Sequence, residues 1–287
     1  MSLSSYLTAP AAALQGVAVR AKLGLYLLFT LPPRQAEPNT FFFRFGIPIV
    51  LKRTQRLHST EADALRFLNR AAPHLPIPRL LDSFVAGSDT YTVMTRLPGR
   101  PLIDISDDEL DVEPLAADVL AVLYQLWRIP QPAEFAQRKA AVMASASGHG
   151  LPHPALRIYG NFEDLGGPYP SIEACYETIC LEYMKASHER PDLVKALEDD
   201  PIVWVHGDLR MQNILVGEDG RLSGIVDWED SGWLPRQWQL HMLRHPGRTC
   251  FGAWVRYWLF DFRFDEEVER GYSAIMNKDM GSVYPFC

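Results

Sequence analysis

Val205-His206-Gly207-Asp208-Leu209-Arg210-Met211-Gln212-Asn213-Ile214-Leu215, with Ile225-Val226-Asp227-Trp228-Glu229 a little downstream, concentrates the most informative polar residues of the chain. The run Ile202 to Val205 has the length and apolar character of a strand, so Asp208 emerges just past a strand end. The runs Ile214–Val216 and Leu222–Val226, separated by Glu218-Asp219-Gly220, predict a hairpin whose exit delivers Asp227. A lone Asp or Asn at a strand exit is ordinarily a turn former. Here the order and spacing bring Asp208, Asn213 and Asp227 into one short region. Magnesium takes oxygen ligands, commonly one or two carboxylates completed by phosphate oxygens and water, and Asn213 with Asp227 can supply the protein share. Asp208 is then left to orient and deprotonate a hydroxyl.

Towards the N-terminus, Phe41 to Phe45 and Ile47 to Lys52 flank Gly46 and Pro48, and their β-branched and aromatic content predicts a hairpin whose second strand carries Lys52. Thr60-x-x-Asp63 offers a helix start, after which Glu61, Leu65 and Leu68 share one face at i, i+4 and i+7, so Glu61 points inward. An inward carboxylate is costly without a cation, and Lys52 on the neighbouring strand is the natural partner. Such a pair, set beside Asp208, Asn213 and Asp227, suits phosphoryl transfer, in which protein groups position reactants and neutralise charge. Arg210 adds positive charge near the transferred group.

A strand at Tyr91 to Thr95 runs into Arg96-Leu97-Pro98-Gly99, where Pro and Gly break regular structure. The expected division is therefore residues 1–97 as a nucleotide-binding lobe with a leading helical segment, and 98–287 as a second lobe with the catalytic loop, metal site and substrate-binding helices. Leu115, Val119, Val122, Leu123 and Leu126 predict a core helix ending before Pro130. Residues 143–170 lack periodicity and read as long surface connections. Acceptor specificity is expected from loops between 99 and 200 and from the C-terminal helices.

On these residues the chain resembles the aminoglycoside phosphotransferase and choline kinase group of kinase-like enzymes, its fungal members in particular. The quoted segments carry the resemblance together with Gly232-Trp233-Leu234-Pro235, Val50-Leu51-Lys52, Glu61 to Leu68 and Met94 to Gly99. The resemblance implies an α+β, two-lobed protein-kinase-like fold, with a small β-rich first lobe and a larger, mainly helical second lobe. It implies ATP and Mg2+ as cofactors, Asp208 as catalytic base, Asn213 and Asp227 as metal holders, and Lys52 paired with Glu61 over the ATP phosphates. The backbone of Met94, Thr95, Arg96 and Leu97 would receive the adenine. The implied reaction moves the γ-phosphate of ATP to a hydroxyl of a small molecule, an aminoglycoside-like compound or another metabolite. One departure stands out: the family's glycine-containing turn before the strand lysine has no counterpart, Gly16 and Gly24 falling in a helix-like stretch. Either ATP is held less firmly or the first lobe is shortened, and the alternative function is a pseudokinase, a nucleotide-binding or regulatory module without efficient turnover. No long activation segment and no Ala-Pro-Glu follow Asp227, which disfavours a protein substrate.

The remaining features set bounds. A net charge of −7 and a pI near 5.6 leave no cationic excess for a nucleic-acid backbone. No run is long enough to span a bilayer, so no membrane partner is expected, nor is a protein partner evident. Cys175, Cys180, Cys250 and Cys287 match no zinc or redox spacing, pointing to a reducing, cytoplasmic setting. Residues 1–36 lack Asp and Glu and carry three basic residues, a composition shared by transit peptides and by an ordinary amphipathic leading helix, the latter being favoured. His241 and His245 lack a third metal ligand. Trp228, Trp233, Trp238, Trp254 and Trp258 are expected in the core, and Asp265, Glu266, Glu267 and Glu269 on a solvated helix face. His206 is expected to brace its loop.

Overall fold

The strand that carries Lys52, β2 (Ile49–Thr54), lies between β1 (Thr40–Phe42) and β4 (Asp89–Thr95), and β3 (Leu80–Ala86) completes an antiparallel sheet in the order β1-β2-β4-β3. This is a computed structural model; it describes residues 8–35, 37–55, 58–133, 135, 143–152, 165–179, 181–244, 252–263 and 265–271. Val50 pairs with Phe42 and Met94, and Lys52 with Thr40 and Thr92, so strand alternation sets these residues on one face. The opposite face holds Phe43, Leu51, Tyr91 and Val93, which form a small core with Leu23, Tyr26 and Phe84. Helix α1 (Thr8–Leu28) supplies Leu23 and Tyr26 and is pinned there by Lys22 and the Tyr26 hydroxyl, both on Asp82.

Strand β3 has no counterpart in the sequence reading. Its signal is Gly87-Ser88 between the paired Ala86 and Asp89, a two-residue turn with glycine at positive φ in the first position. Helix α2 (Thr60–Ala71) begins one residue earlier than the Thr60 cap expected: Ser59 is the N-cap, accepting from the Ala62 amide at 3.1 Å and bonding Thr92 Oγ1 at 2.9 Å. Thr60 is thereby the first residue inside the helix. Such a cap contributes about 1 kcal/mol and here also ties the helix start to β4.

After β4 the chain passes through β5 (Arg100–Pro101) into α3 (Val112–Leu126), whose Leu115, Val119, Leu123 and Leu126 are fully buried. Strand β6 (Ile202–Val205) pairs with β9 (Gly232–Pro235), while β7 (Ile214–Val216) and β8 (Leu222–Ile225) form the expected hairpin, with β5 on its edge. Helices α4 (Ile172–Ile179), α5 (Leu181–Glu189), α6 (Pro191–Glu198), α7 (Arg236–Arg244) and α8 (Ala253–Arg256) make up the rest. The result is a mixed α+β chain with a small antiparallel sheet before a larger helical part.

The main core joins Leu65 and Leu68 of α2 to the buried face of α3 and to Trp204, Trp228, Trp233, Trp254 and Trp258. Each large apolar side chain so buried contributes about 1.5–3 kcal/mol. Trp238 lies in a second core with Tyr176, Val205 and Leu234. The tryptophans are thus core residues. The described parts of 143–170 are not surface connections: Met143, Ala144, Leu151 and Tyr169 are buried, and Met143 bridges Tyr169 as Ala144 bridges Trp233. The apolar side chains of this stretch are too widely spaced to show a period, yet they seal the second core. Residues 153–164 lie outside the described set.

Candidate active site

Three carboxylates surround the Lys52 ammonium: Asp227 Oδ1 at 2.5 Å, Glu61 Oε2 at 3.1 Å and Glu229 Oε2 at 3.5 Å. Burial alone would lower this lysine, but Glu61, then Asp227 and Glu229, outweigh it and hold its pKa well above the ordinary range. Glu61 is only 1% exposed, as its place on the inner face of α2 requires, and its Oε1 accepts from the Trp228 amide at 3.2 Å. One buried carboxylate therefore links the strand lysine, helix α2 and the turn after Asp227. Its burial, opposed by Lys52, raises its pKa to about 6.

Asp227 stands at the end of the β7–β8 hairpin in the left-handed region, φ 67° and ψ 63°, where a non-glycine residue is uncommon. Burial works against its ionisation, but the neighbouring Lys52 prevails and keeps the carboxyl below its usual range. Its side chain remains 40% exposed. Asn213 is buried at the head of β7 and donates from Nδ2 to the Asp208 carbonyl at 2.8 Å, while its own carbonyl accepts from the Val226 amide at 3.0 Å. With Nδ2 so used, the Asn213 side chain keeps its oxygen as an acceptor.

Asp208 follows a turn that only glycine can make: Gly207 has φ +86°, and a Cβ there would lie 2.2 Å from the Asp230 carbonyl oxygen. Burial, then the nearby charges of Asp227 and Glu229, raise the Asp208 carboxyl, against the pull of Arg210, whose Nε stands 2.7 Å from Oδ1. His206 braces the loop as expected. It is fully buried, its Nε2 bonds the Val226 carbonyl at 2.9 Å, and its Nδ1 accepts from the Asp208 amide at 3.3 Å. Burial pushes its pKa down to about 4, which keeps the ring neutral and in the tautomer the two bonds need.

This gives a pH prediction with a definite sign. Between pH 6.5 and about 4 the unfolded chain binds a proton that native His206 refuses, so stability should fall as pH falls through that window, by about 3 kcal/mol for this group. Urea titrations across the window should show a shallower acid loss for His206→Gln than for the parent. Identical slopes would remove His206 from the account.

Two acids were not singled out from sequence. Glu229 adds a third charge to Lys52, and Asp230 lies close enough to the other acids that burial, then Glu229, Asp208 and Asp227, push its pKa up to about 8. Both sit in the turn after Asp227, and their proximity to Asp208 depends on the β6–β9 pairing, which no local pattern displays. Four carboxylates, Glu61, Asp227 and Glu229 on Lys52 and Asp208 on Arg210, thus face two cations, a negative surplus that a divalent cation would offset. Among the described residues no three His, Cys, Asp or Glu side chains converge as a self-sufficient metal cage. The donor set Asn213 and Asp227 instead suits a cation that takes its remaining oxygens from elsewhere.

The phosphotransferase enzyme family (APH) matches residues 31–283. The chain belongs to this family. The solved structure of aminoglycoside phosphotransferase APH(4)-Ia is similar over 90% of this chain and 88% of that one, with 17% identity and a TM-score of 0.57. APH(3'')-Id from Streptomyces rimosus, solved with ADP and streptomycin, is 18% identical over 84% of this chain and 90% of its own, with a TM-score of 0.53. The type VIII aminoglycoside-3'-phosphotransferase is 20% identical over 84% and 89%, with a TM-score of 0.50. At such identities the likeness is one of fold. No curated protein matches the chain.

In this phosphotransferase family member, the place of the missing glycine turn is occupied. Thr30 bridges Phe43, the Leu31 amide donates to the Phe42 carbonyl at 2.8 Å, and the proline-rich 31–39 segment leads back into β1. The sheet is therefore closed at the β1 edge by residues 29–31, which carry no glycine. Phe42 lies on the Lys52 face, with the guanidinium groups of Arg34 and Arg96 4.9 and 4.8 Å from its ring centre. At the end of β4, Met94 is buried opposite Val50, and the amides of Thr95 and Arg96 are committed to the carbonyls of Arg79 and Pro48. Leu97 packs on β8, where a Cβ at Gly224 would lie 2.4 Å from its Cδ1.

Proposed function

We propose that this chain transfers the γ-phosphoryl group of ATP, with Mg2+, to a hydroxyl of a small molecule, the aminoglycoside-like class being one candidate. The observation that carries this reading is the Lys52–Glu61–Asp227 cluster standing beside Asp208 and Asn213, joined through the Asp208 carbonyl and the His206 ring. Bound ATP would supply the phosphoryl group, and magnesium would neutralise its charge. Residues 1–97 form the nucleotide-binding lobe and 98–287 the catalytic and acceptor-binding lobe.

Asn213 and Asp227 hold the metal on this reading, and Lys52, kept charged by its acids, faces the phosphates. Asp208 takes the proton of the acceptor hydroxyl as the new O–P bond forms and the bond to the ADP oxygen breaks. Its raised pKa makes it a better base than a surface aspartate. Arg210, on Asp208 Oδ1, holds that carboxylate in position and adds charge near the transferred group. The backbone of Met94 to Leu97 takes the base through groups that the Arg79 and Pro48 bonds leave unused.

A pseudokinase is the second reading, favoured by the glycine-free edge of the first lobe. Isothermal titration with ATP, with and without magnesium, separates the two. Magnesium-dependent binding is expected, and Asp227→Ala should weaken it by at least the roughly 10- to 100-fold lost when even an outer-shell partner of a metal is removed. Absence of ATP binding under every condition would hand the site to the pseudokinase reading.

A further inference from the structure

Helix α1 is apolar on both sides. Its inner side packs Leu23 and Tyr26 on the sheet, whereas Val17, Leu25 and Leu28 face solvent, as does Arg20, with Leu25 at 60% and Leu28 at 68% exposed. Over the described side chains, residues 16–28, the outer side therefore exposes contiguous apolar area, which normally has cover.

The exposed surface continues past the helix end. The Arg44 amide bonds the Phe29 carbonyl at 2.8 Å and its Nε bonds the Thr30 carbonyl at 2.8 Å, which fixes the end of α1 beside the β1–β2 turn. At that turn Phe45 is 88% exposed with φ +58°, flanked by exposed Phe29 and Leu31. Phe45 projects there at a backbone conformation that disfavours a bulky side chain.

Charge identifies the cover. Among the described residues of this face the exposed charged side chains are Arg20 and Arg44, and neither α1 nor the β1–β2 turn carries an Asp or Glu, in a chain of net −7. Two copies meeting through this face would bring Arg20 and Arg44 together with little acid to answer them. A surface that is both apolar and anionic answers both properties.

We infer that this face, the outer side of α1 with the Phe45 turn, docks on an anionic phospholipid surface. No helix among the described residues is long and apolar enough to cross a membrane, and none is required. The sequence-based expectation of no membrane partner rests on spanning length, whereas an interfacial face needs only apolar area and positive charge. The inference is independent of the catalytic reading, since it uses none of those residues.

Vesicle co-sedimentation of the full chain tests it, with phosphatidylcholine alone and with phosphatidylcholine and phosphatidylserine mixed two to one. Binding is expected to the mixed vesicles only, and to weaken with added salt. Leu28→Ser with Phe45→Ser should lower affinity roughly ten-fold or more. Arg20→Glu, at an exposed site that leaves the packing intact, should lower it roughly five-fold or more. Phe260→Ser, which removes an exposed aromatic from the other lobe, should change nothing. No pelleting with either vesicle, or equal pelleting of parent and Arg20→Glu, overturns the inference. So does a dimer in sedimentation that Leu28→Ser with Phe45→Ser dissolves, since a second copy would then be the cover.

Discussion

Asp208→Ala should cut phosphoryl transfer by roughly a hundred- to ten-thousand-fold, the range for removing a positioned general base, while leaving ATP binding and folding near the parent values. The asymmetry follows from its surroundings. The carboxylate of Asp208 has Arg210 as its ion-pair partner, and the loop is held without it, through the His206 ring, the Asn213 amide and the backbone of residue 208 itself. On the proposed reading, removing the side chain deletes a base and keeps the scaffold. Asp227→Ala, by contrast, takes a carboxylate from Lys52 and, on the proposed reading, from the metal, and should lose magnesium-dependent binding as well. Single-turnover assays beside titration calorimetry distinguish the two. If both variants bind magnesium–ATP equally, Asp227 does not hold the metal.

Gly207→Ala is expected to be among the most damaging single substitutions in the chain, costing about 4 kcal/mol or more or preventing folding altogether. The new Cβ would stand 2.2 Å from the Asp230 carbonyl oxygen and 2.8 Å from its carbon, both backbone atoms, at φ +86°. Neither strand end can retreat, because β6 and β9 are paired through Val205 and Gly232 on either side of the contact. Gly220→Ala is the control. It has a similar φ of +74° with nothing within 4 Å, so it should cost only the left-handed penalty of about 1–2 kcal/mol. Denaturant midpoints compare them, and equal losses would mean that the Asp230 contact relaxes easily.

Much of the site could be read from the chain because its parts are local. Asp208 and Asn213 are five residues apart, the hairpin that delivers Asp227 announces its turn, and the inward position of Glu61 follows from helical spacing with Leu65 and Leu68, both fully buried. The Lys52–Glu61 pair follows from the cost of a buried charge and is present at 3.1 Å. What escaped depends on contacts between distant segments. Glu229 and Asp230 come near Asp208 only once β9 lies on β6. The buried stretch at Met143–Leu151 is held by isolated bridges to Tyr169, Trp233 and Gly166, which leave no periodic trace. Strand β3 escaped for a different reason: its alternation is weak, with Leu81 exposed and a register shift between Leu80 and Asp82, and its turn was the better signal. At α1 the composition of residues 1–36 is a local property, whereas the sheet face that claims Leu23 and Tyr26 is built from distant strands.

The Lys52 ammonium lies 2.5 Å from Asp227, on the same carboxylate that the proposed metal must use. Two cations therefore compete for one ligand. An incoming magnesium ion would share that carboxylate with an ammonium that Glu61 and Glu229 hold beside it, and repulsion between the two cations leaves metal by itself with little to gain. Nucleotide phosphates would change that balance by giving both cations a further counter-charge. Metal and nucleotide should accordingly enter as a pair, and either alone should be a poor ligand for this cleft.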